Sequence, residues 1–237
     1  MKAEKVVIGN AELWHGDCRE VLPLLSKEVA IVSDPPYGIG YAHSGGGKSS
    51  EWRGLLAKDR NAAAIIGDDK PFDPSHLLVF QQAIIFGADH YADRLPRGRW
   101  LAWDKLNGLE SWDSFSDVEF IWHSRKGAAR IFRLTWKGLA QGAGKDKNIR
   151  RTHPTQKPVA LMEWCIKQCG TPAVVRDPYM GTGATGVAAM NLGLRFEGME
   201  IHRPYFDEAC RRIEDAQRQA PLLPKEPAPE PVQDGLI

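Results

Sequence analysis

The chain has 237 residues, 43% of them hydrophobic and 26% charged, which is enough for one sizeable packed domain and argues against wholesale disorder or a coiled coil. With 31 basic and 30 acidic residues the net charge is only +1, so any pull toward nucleic acid or an anionic membrane must be local. Four cysteines in no C-x2-C pairing fit neither a zinc pattern nor a secreted disulfide framework and read as reduced core thiols. The opening MKAEKVVIGN carries no apolar leader and no run approaches 18 apolar residues, so a soluble, cytoplasmic protein with no membrane partner is expected.

AELWH (11–15) alternates like a strand, Asp17 and Glu20 stand at capping-box spacing before CREVLPLL, and VAIVS (29–33) is a second strand. Residues 38–70 hold seven glycines, including the tract SGGGKSS, and suit a long mobile loop. Asp73 and Pro74 look like an N-cap and the first residue of a helix. AIIFG (83–87) and RWLAW (99–103) continue the alternation, and FSDVEFIWH and ARIFRLTW are further β-rich runs. From Lys157 onward come helix VALMEWCIKQC, strand AVVRD, helix ATGVAAMNL, strand RFEGME and helix PYFDEACRRIEDAQRQ. This βαβ rhythm predicts one α/β domain over 1–218, a parallel sheet with helices on its faces. Residues 219–237, holding five of the 16 prolines, are expected to form a disordered tail.

In VVRDPYMGTGATG, Gly181, Gly183 and Gly186 have G-x-G-x-x-G spacing between a strand and a helix. Glycines there permit a tight turn and close approach of a nucleotide to the positive end of a helix. Glu200, 23 residues after Asp177, ends the next strand, where a carboxylate can accept from ribose hydroxyls. The bland alternative is a structural turn. Between a dinucleotide and S-adenosylmethionine, Asp177 favours the latter, because a carboxylate repels a pyrophosphate and attracts the methionine ammonium.

Asp34, Pro35, Pro36 and Tyr37 follow the apolar run 29–33, at the strand edge where α/β sheets place ligands. An exocyclic amino group on adenine or cytosine is a poor nucleophile, since its lone pair is delocalised into the ring. Asp34 and a proline carbonyl can each accept one N–H and turn that lone pair toward a sulfonium methyl. The prolines leave a stiff edge without N–H donors, and Tyr37 can stack on a base swung out of the duplex. The alternative is a Pro-Pro turn with a packing tyrosine.

With DPPY near the start, and HPTQKP (153–158) and DPYMGTG near the end, the chain resembles the DNA N6-adenine/N4-cytosine amino-methyltransferases in the circularly permuted order of their β group. The resemblance spans about residues 10–215 and includes LWHGDCREVLPLL, IIFGADHYADRLP and GMEIHRPYFDEACRRI. It implies a class I S-adenosylmethionine-dependent methyltransferase fold, a seven-stranded, mostly parallel mixed sheet flanked by helices. It implies S-adenosylmethionine as cofactor, double-stranded DNA as substrate and no metal. The residues at Asp34 to Tyr37 would be catalytic. Asp17, Cys18, Lys157, Asp177, Tyr179, Gly181, Thr182, Gly183 and Glu200 would surround the donor. Tyr179 stands where the family usually has Phe and Thr182 where Ser is common. Asp rather than Ser at the head of the tetrapeptide favours adenine over cytosine.

Residues 125–151 hold nine basic side chains and one acid, Asp146. This basic insertion, about 124–152, is a candidate phosphate-binding surface through Arg125, Lys126, Arg130, Arg133, Lys137, Arg150 and Arg151, with Lys48 in the glycine tract as a further contact. A solvated loop is the plainer reading. Its shortness suggests a short site, loose specificity, or help from a second copy in a homodimer. The GGGKSS tract is a poor P-loop, since Ala42 replaces the first glycine and DPPYGIGY separates it from the strand. A dinucleotide-dependent oxidoreductase and a DNA-binding module without catalysis are the rival functions.

Overall fold

A computed structural model describes residues 3–40, 65–110, 116–137, 140–141, 156–170 and 172–219. Among the described residues eleven strands run in chain order: β1 (Glu4–Ile8), β2 (Ala11–His15), β3 (Ala30–Ser33), β4 (Gln82–Phe86), β5 (Arg99–Asp104), β6 (Val118–His123), β7 (Arg130–Arg133), β8 (Trp136–Lys137), β9 (Ala140–Gln141), β10 (Val174–Asp177) and β11 (Arg195–Glu200). The α-helices are α1 (Cys18–Val21), α2 (Val159–Gln168), α3 (Ala184–Asn191) and α4 (Arg203–Gln219).

Nine strands form one sheet in the order β1-β2-β11-β10-β3-β4-β6-β5-β7, and β8 and β9 form a separate pair. Strands β2, β11, β10, β3 and β4 are mutually parallel, while β6 runs antiparallel to both β4 and β5. The mixed, mostly parallel sheet is the expected architecture with nine strands rather than seven. Strand β1 adds antiparallel to β2 at one edge, and β7 adds parallel to β5 at the other.

Strand alternation divides the core between two faces. Ala30, Val32, Ile84 and Phe86 pack toward α2, α3 and α4 through Leu161, Cys165, Ala188, Phe206 and Ile213. Ile31, Ala83 and Ile85 point the other way, onto Cys18, Val21, Phe72, Leu77, Phe80 and Tyr91. Arg176, a cation inside β10, is buried because it pairs with Glu197, donates to the Ser26 carbonyl at 2.8 Å and lies over the Phe80 ring. Helix α4 buries Phe206, Ala209, Ile213 and Ala216 at three- and four-residue intervals, the spacing of one helical face.

One local expectation changes. Asp73 does accept the Ser75 N–H at 3.0 Å, but residues 75–79 form turns rather than a helix, with Leu77 and Leu78 bonded three residues back to Pro74 and Ser75. Of the expected mobile loop at 38–70, the two described ends are tied together. Buried Asp68 accepts the Gly38 and Ile39 N–H groups at 2.8 and 3.2 Å, and its carbonyl accepts that of Gly40. Residues 41–64, with Lys48 and the glycine tract, lie outside the described residues, as do Arg150, Arg151 and the tail from 220.

Candidate functional site

Strands β3 and β10 are parallel neighbours, with Val175 opposite Ala30 and Arg176 opposite Ile31. Their carboxyl ends therefore emerge side by side, one into Asp34 to Tyr37 and the other into the glycine turn. The strand order reverses here, so this is the crevice where open α/β sheets take ligands. Ser33 donates its hydroxyl to Asp177 Oδ1 at 2.5 Å, and Thr185 of α3 donates to Oδ2 at 2.5 Å. The Tyr179 N–H adds a third bond at 3.1 Å. Burial pushes the Asp177 carboxyl up to about 7 despite these bonds. The residue expected to attract an ammonium is thus turned inward, bracing the two motifs against each other.

At the turn, Gly181 and Gly183 adopt φ of +51° and +81°, a region open chiefly to glycine. A Cβ at Gly183 would press on Ala209, and one at Gly186 on Ile213 and Phe196, whereas one at Gly181 would meet nothing within 4 Å. The turn is closed on its helix side and open at Gly181, which suits a ligand lying against the backbone there. Glu200 Oε2 accepts the Gly181 N–H at 3.0 Å and Oε1 accepts that of His202 at 2.7 Å. Burial raises the Glu200 carboxyl above its ordinary range. Mostly but not fully buried, it keeps lone pairs for further donors. Thr182 is buried, its carbonyl and hydroxyl both taken by Arg212 of α4 at 2.5 and 3.0 Å.

Asp17 caps α1, accepting the Arg19 N–H at 2.9 Å, and stands half-exposed in the loop between β2 and α1. Beside it Cys18 is buried against Tyr179, and burial pushes its thiol up to about 11. Tyr179 meets His76 Nε2 at 2.9 Å through its hydroxyl and packs edge-on to Phe72. All four cysteines are free thiols. Among the described residues no three His, Cys, Asp or Glu side chains gather as metal ligands, and no helix is long and apolar enough to cross a membrane.

Asp34 belongs to a four-residue cluster that the sequence does not reveal. Tyr37 sits three residues on, its hydroxyl 2.6 Å from Asp34 Oδ1 and 2.8 Å from Glu119 Oε1. Lys157, just ahead of α2, reaches Asp34 Oδ2 at 2.8 Å, Glu119 Oε1 at 2.9 Å and the Tyr37 oxygen at 3.2 Å. Burial penalises the Lys157 ammonium, but two carboxylates outweigh it and raise its pKa. Burial also raises Asp34, with Glu119 adding to the rise and Lys157 opposing it. For Glu119 burial works against the charge, yet Lys157 prevails and the carboxyl stays below its ordinary range. Lys157, expected beside the donor, is thus bonded to the DPPY carboxylate. Burial and both carboxylates push the Tyr37 hydroxyl up. Its ring stacks on His90 at 5.3 Å and lies against Gly87, whose φ is +62°.

The basic residues separate by sheet edge. Arg133, at the end of β7, pairs in register with Asp104 and lies 3.5 Å from its carboxylate, at the same edge as Asp34 and Glu119. Arg130 is exposed further back along β7. Arg125 and Lys126 follow β6 and lie at the opposite edge, where a cavity of about 470 Å³ is lined by Arg125, Gln82 and Cys169. Lys137 is on β8. Glu119, His90 and His76 were missed by sequence reasoning, although Glu119 shares a strand phase with buried Ile121, an unusual place for a carboxylate.

Residues 104–211 match the model of a family described as DNA methylase. The chain is 39% identical to the protein named "Putative methylase YubD" of Escherichia coli (strain K12), over 86% of this chain and 90% of that one. It is 25% identical to the type II methyltransferase M.ScaI of Streptomyces caespitosus, over 85% and 81%. Among solved structures, the cytosine-N4-specific PvuII DNA methyltransferase shares the fold with a TM-score of 0.54 at 15% identity, over 90% of this chain and 93% of that one.

Proposed function

The chain belongs to the DNA N6-adenine/N4-cytosine amino-methyltransferase family, and on that premise we propose that it methylates adenine N6 of a base turned out of duplex DNA. S-adenosylmethionine is the methyl donor. The observation supporting the reading is the emergence of Asp34 and the glycine turn side by side from β3 and β10, which lets a methyl pass directly from one ligand to the other.

The open side of the turn at Gly181, with Glu200 beneath it, fits the donor. Asp17, Cys18 and Tyr179 would line the adenosine side, while Asp177 and Thr182 shape the pocket from behind. Bound there, the donor supplies a methyl on a cationic sulfur, which leaves as a neutral thioether once the carbon–sulfur bond breaks. Asp34 and a proline carbonyl of the tetrapeptide would each accept one amino N–H, aiming the nitrogen lone pair at that methyl. As the nitrogen–carbon bond forms, Asp34 offsets the charge gathering on nitrogen and takes the proton it sheds. Tyr37 would carry the base on its ring, across from His90 or in its place. Arg133 and Arg130 would hold phosphates, with Lys48, Lys137, Arg150 and Arg151 as further contacts.

Asp at residue 34, where the cytosine enzymes of the family more often have Ser, favours adenine. Incubation with labelled donor and duplex DNA, followed by digestion to nucleosides, tests this. Label on N6-methyl-2′-deoxyadenosine is expected, and label on N4-methyl-2′-deoxycytidine would replace adenine by cytosine.

A further inference from the structure

We propose that Glu119 is a positioning residue for the methyl transfer: it shares Lys157 and Tyr37 with Asp34 and so leaves the Asp34 carboxylate able to grip the amino group of the base. This deepens the methyltransferase reading above and rests on it.

The Tyr37 hydroxyl has one proton and two carboxylate acceptors, at 2.6 and 2.8 Å. Rotation about its C–O bond alone moves that proton from Asp34 to Glu119. Lys157 has three protons for its three neighbours Asp34, Glu119 and the Tyr37 oxygen. Without Glu119, Tyr37 would be committed to Asp34 and Lys157 would neutralise it. With both carboxylates ionised, two of them against one ammonium give the cluster a net negative charge, which matches the positive charge that builds on the amino nitrogen. An Asp34–Lys157 pair alone would be neutral.

Glu119 has little other reason to be where it is. It lies in the strand phase of Ile121 and His123, both buried, and its side chain is 16% exposed. Buried ion pairs are no general source of stability. Lys105 is a further cation whose charge reaches Glu119, and Asp177 and Tyr91 are further titratable groups that feel the charge of Asp34.

The test is Glu119→Gln in the full chain, which keeps the shape and removes the charge. Turnover should fall at least tenfold, while dissociation constants for donor and DNA stay within about twofold. Because the Glu119 charge helps hold Asp34 up, its loss should move the acid limb of the pH–rate profile to lower pH. Glu119→Asp should recover part of the rate. In a Tyr37→Phe background the loss on Glu119→Gln should be smaller, since there is no hydroxyl left to divert. Wild-type turnover with an unmoved acid limb in Glu119→Gln, or fully multiplicative losses in the double variant, would overturn the proposal. A wild-type chain that transfers no methyl to DNA would overturn the functional reading itself, and this proposal with it.

Discussion

The ring of Tyr37 occupies the space that a side chain on Gly87 would need, and Gly87 holds a φ of +62° that favours glycine. The loop after β4 is therefore shaped around the last residue of the tetrapeptide. Gly87→Ala must strain the backbone and push the ring away from Asp34 and Glu119. We expect a loss of about 1–3 kcal/mol in stability and a drop in turnover of tenfold or more with donor affinity kept. Denaturant melts and single-turnover rates check this; an unchanged rate would mean that the position of the Tyr37 ring is irrelevant to the chemistry.

Asp177 predicts a pH dependence of folding. Its carboxyl rises from an ordinary value of 3.8 to about 7 when buried, so between those values the folded chain holds a proton that the unfolded chain has released. Stability contributed in this way is complete below about pH 4 and declines as pH rises toward 7, by on the order of a few kcal/mol. Asp177→Asn has no such proton to lose. The melting temperature of the unliganded protein should fall from pH 5 to pH 7 more steeply in wild type than in the variant, and equal slopes would contradict the assignment.

Asp34 is the group expected to touch the base. Removing its carboxylate in Asp34→Ala should cost on the order of a hundredfold or more in turnover. Donor binding should be largely kept, because the open turn at Gly181 lies on the neighbouring strand end. Calorimetry with the donor and single-turnover transfer to DNA separate the two effects; a near-normal rate would remove Asp34 from the chemistry.

Elements coded by neighbouring residues were legible in the sequence. AELWH is strand β2 residue for residue, and the strand–turn–helix around Gly181 stands where its spacing put it. Strand β1 escaped because it is an edge strand with only alternate half-buried positions. The helix expected at Pro74 gave way to turns that set Phe72, Leu77 and Phe80 into the core, a tertiary demand that local signals do not carry. The site was half legible for the same reason. Asp34 and Tyr37 share a tetrapeptide, but Lys157 lies 120 residues from Tyr37 and Ser33 lies 144 from Asp177. Only the pairing of β3 with β10 brings the latter two together.

The two glycines of the turn should fail in different ways. At Gly183 a Cβ would crowd Ala209 at 3.0 Å on top of an unfavourable φ, so Gly183→Ala should destabilise the fold by roughly 1–3 kcal/mol. At Gly181 a Cβ would meet no atom of the described residues within 4 Å and would project into the space assigned to the donor. Gly181→Ala should therefore cost less stability and at least tenfold in donor affinity. Melting temperatures set beside donor titrations distinguish the variants; equal donor affinity in Gly181→Ala and wild type would move the donor away from that residue.

DNA contacts should follow sheet edge rather than charge alone. Arg133 stands at the edge that carries Asp34 and is only loosely held by Asp104 at 3.5 Å, with its side chain 56% exposed. Lys126 lies at the far edge, beyond β6. Each phosphate contact contributes close to one unit to the slope of log affinity against log salt. Arg133→Ala should accordingly weaken duplex binding about equally for all sequences and flatten that slope by about 1, while Lys126→Ala leaves it unchanged. Binding isotherms across a salt series measure both. A flattened slope for Lys126→Ala with none for Arg133→Ala would place the duplex on the opposite edge of the sheet, out of reach of Asp34.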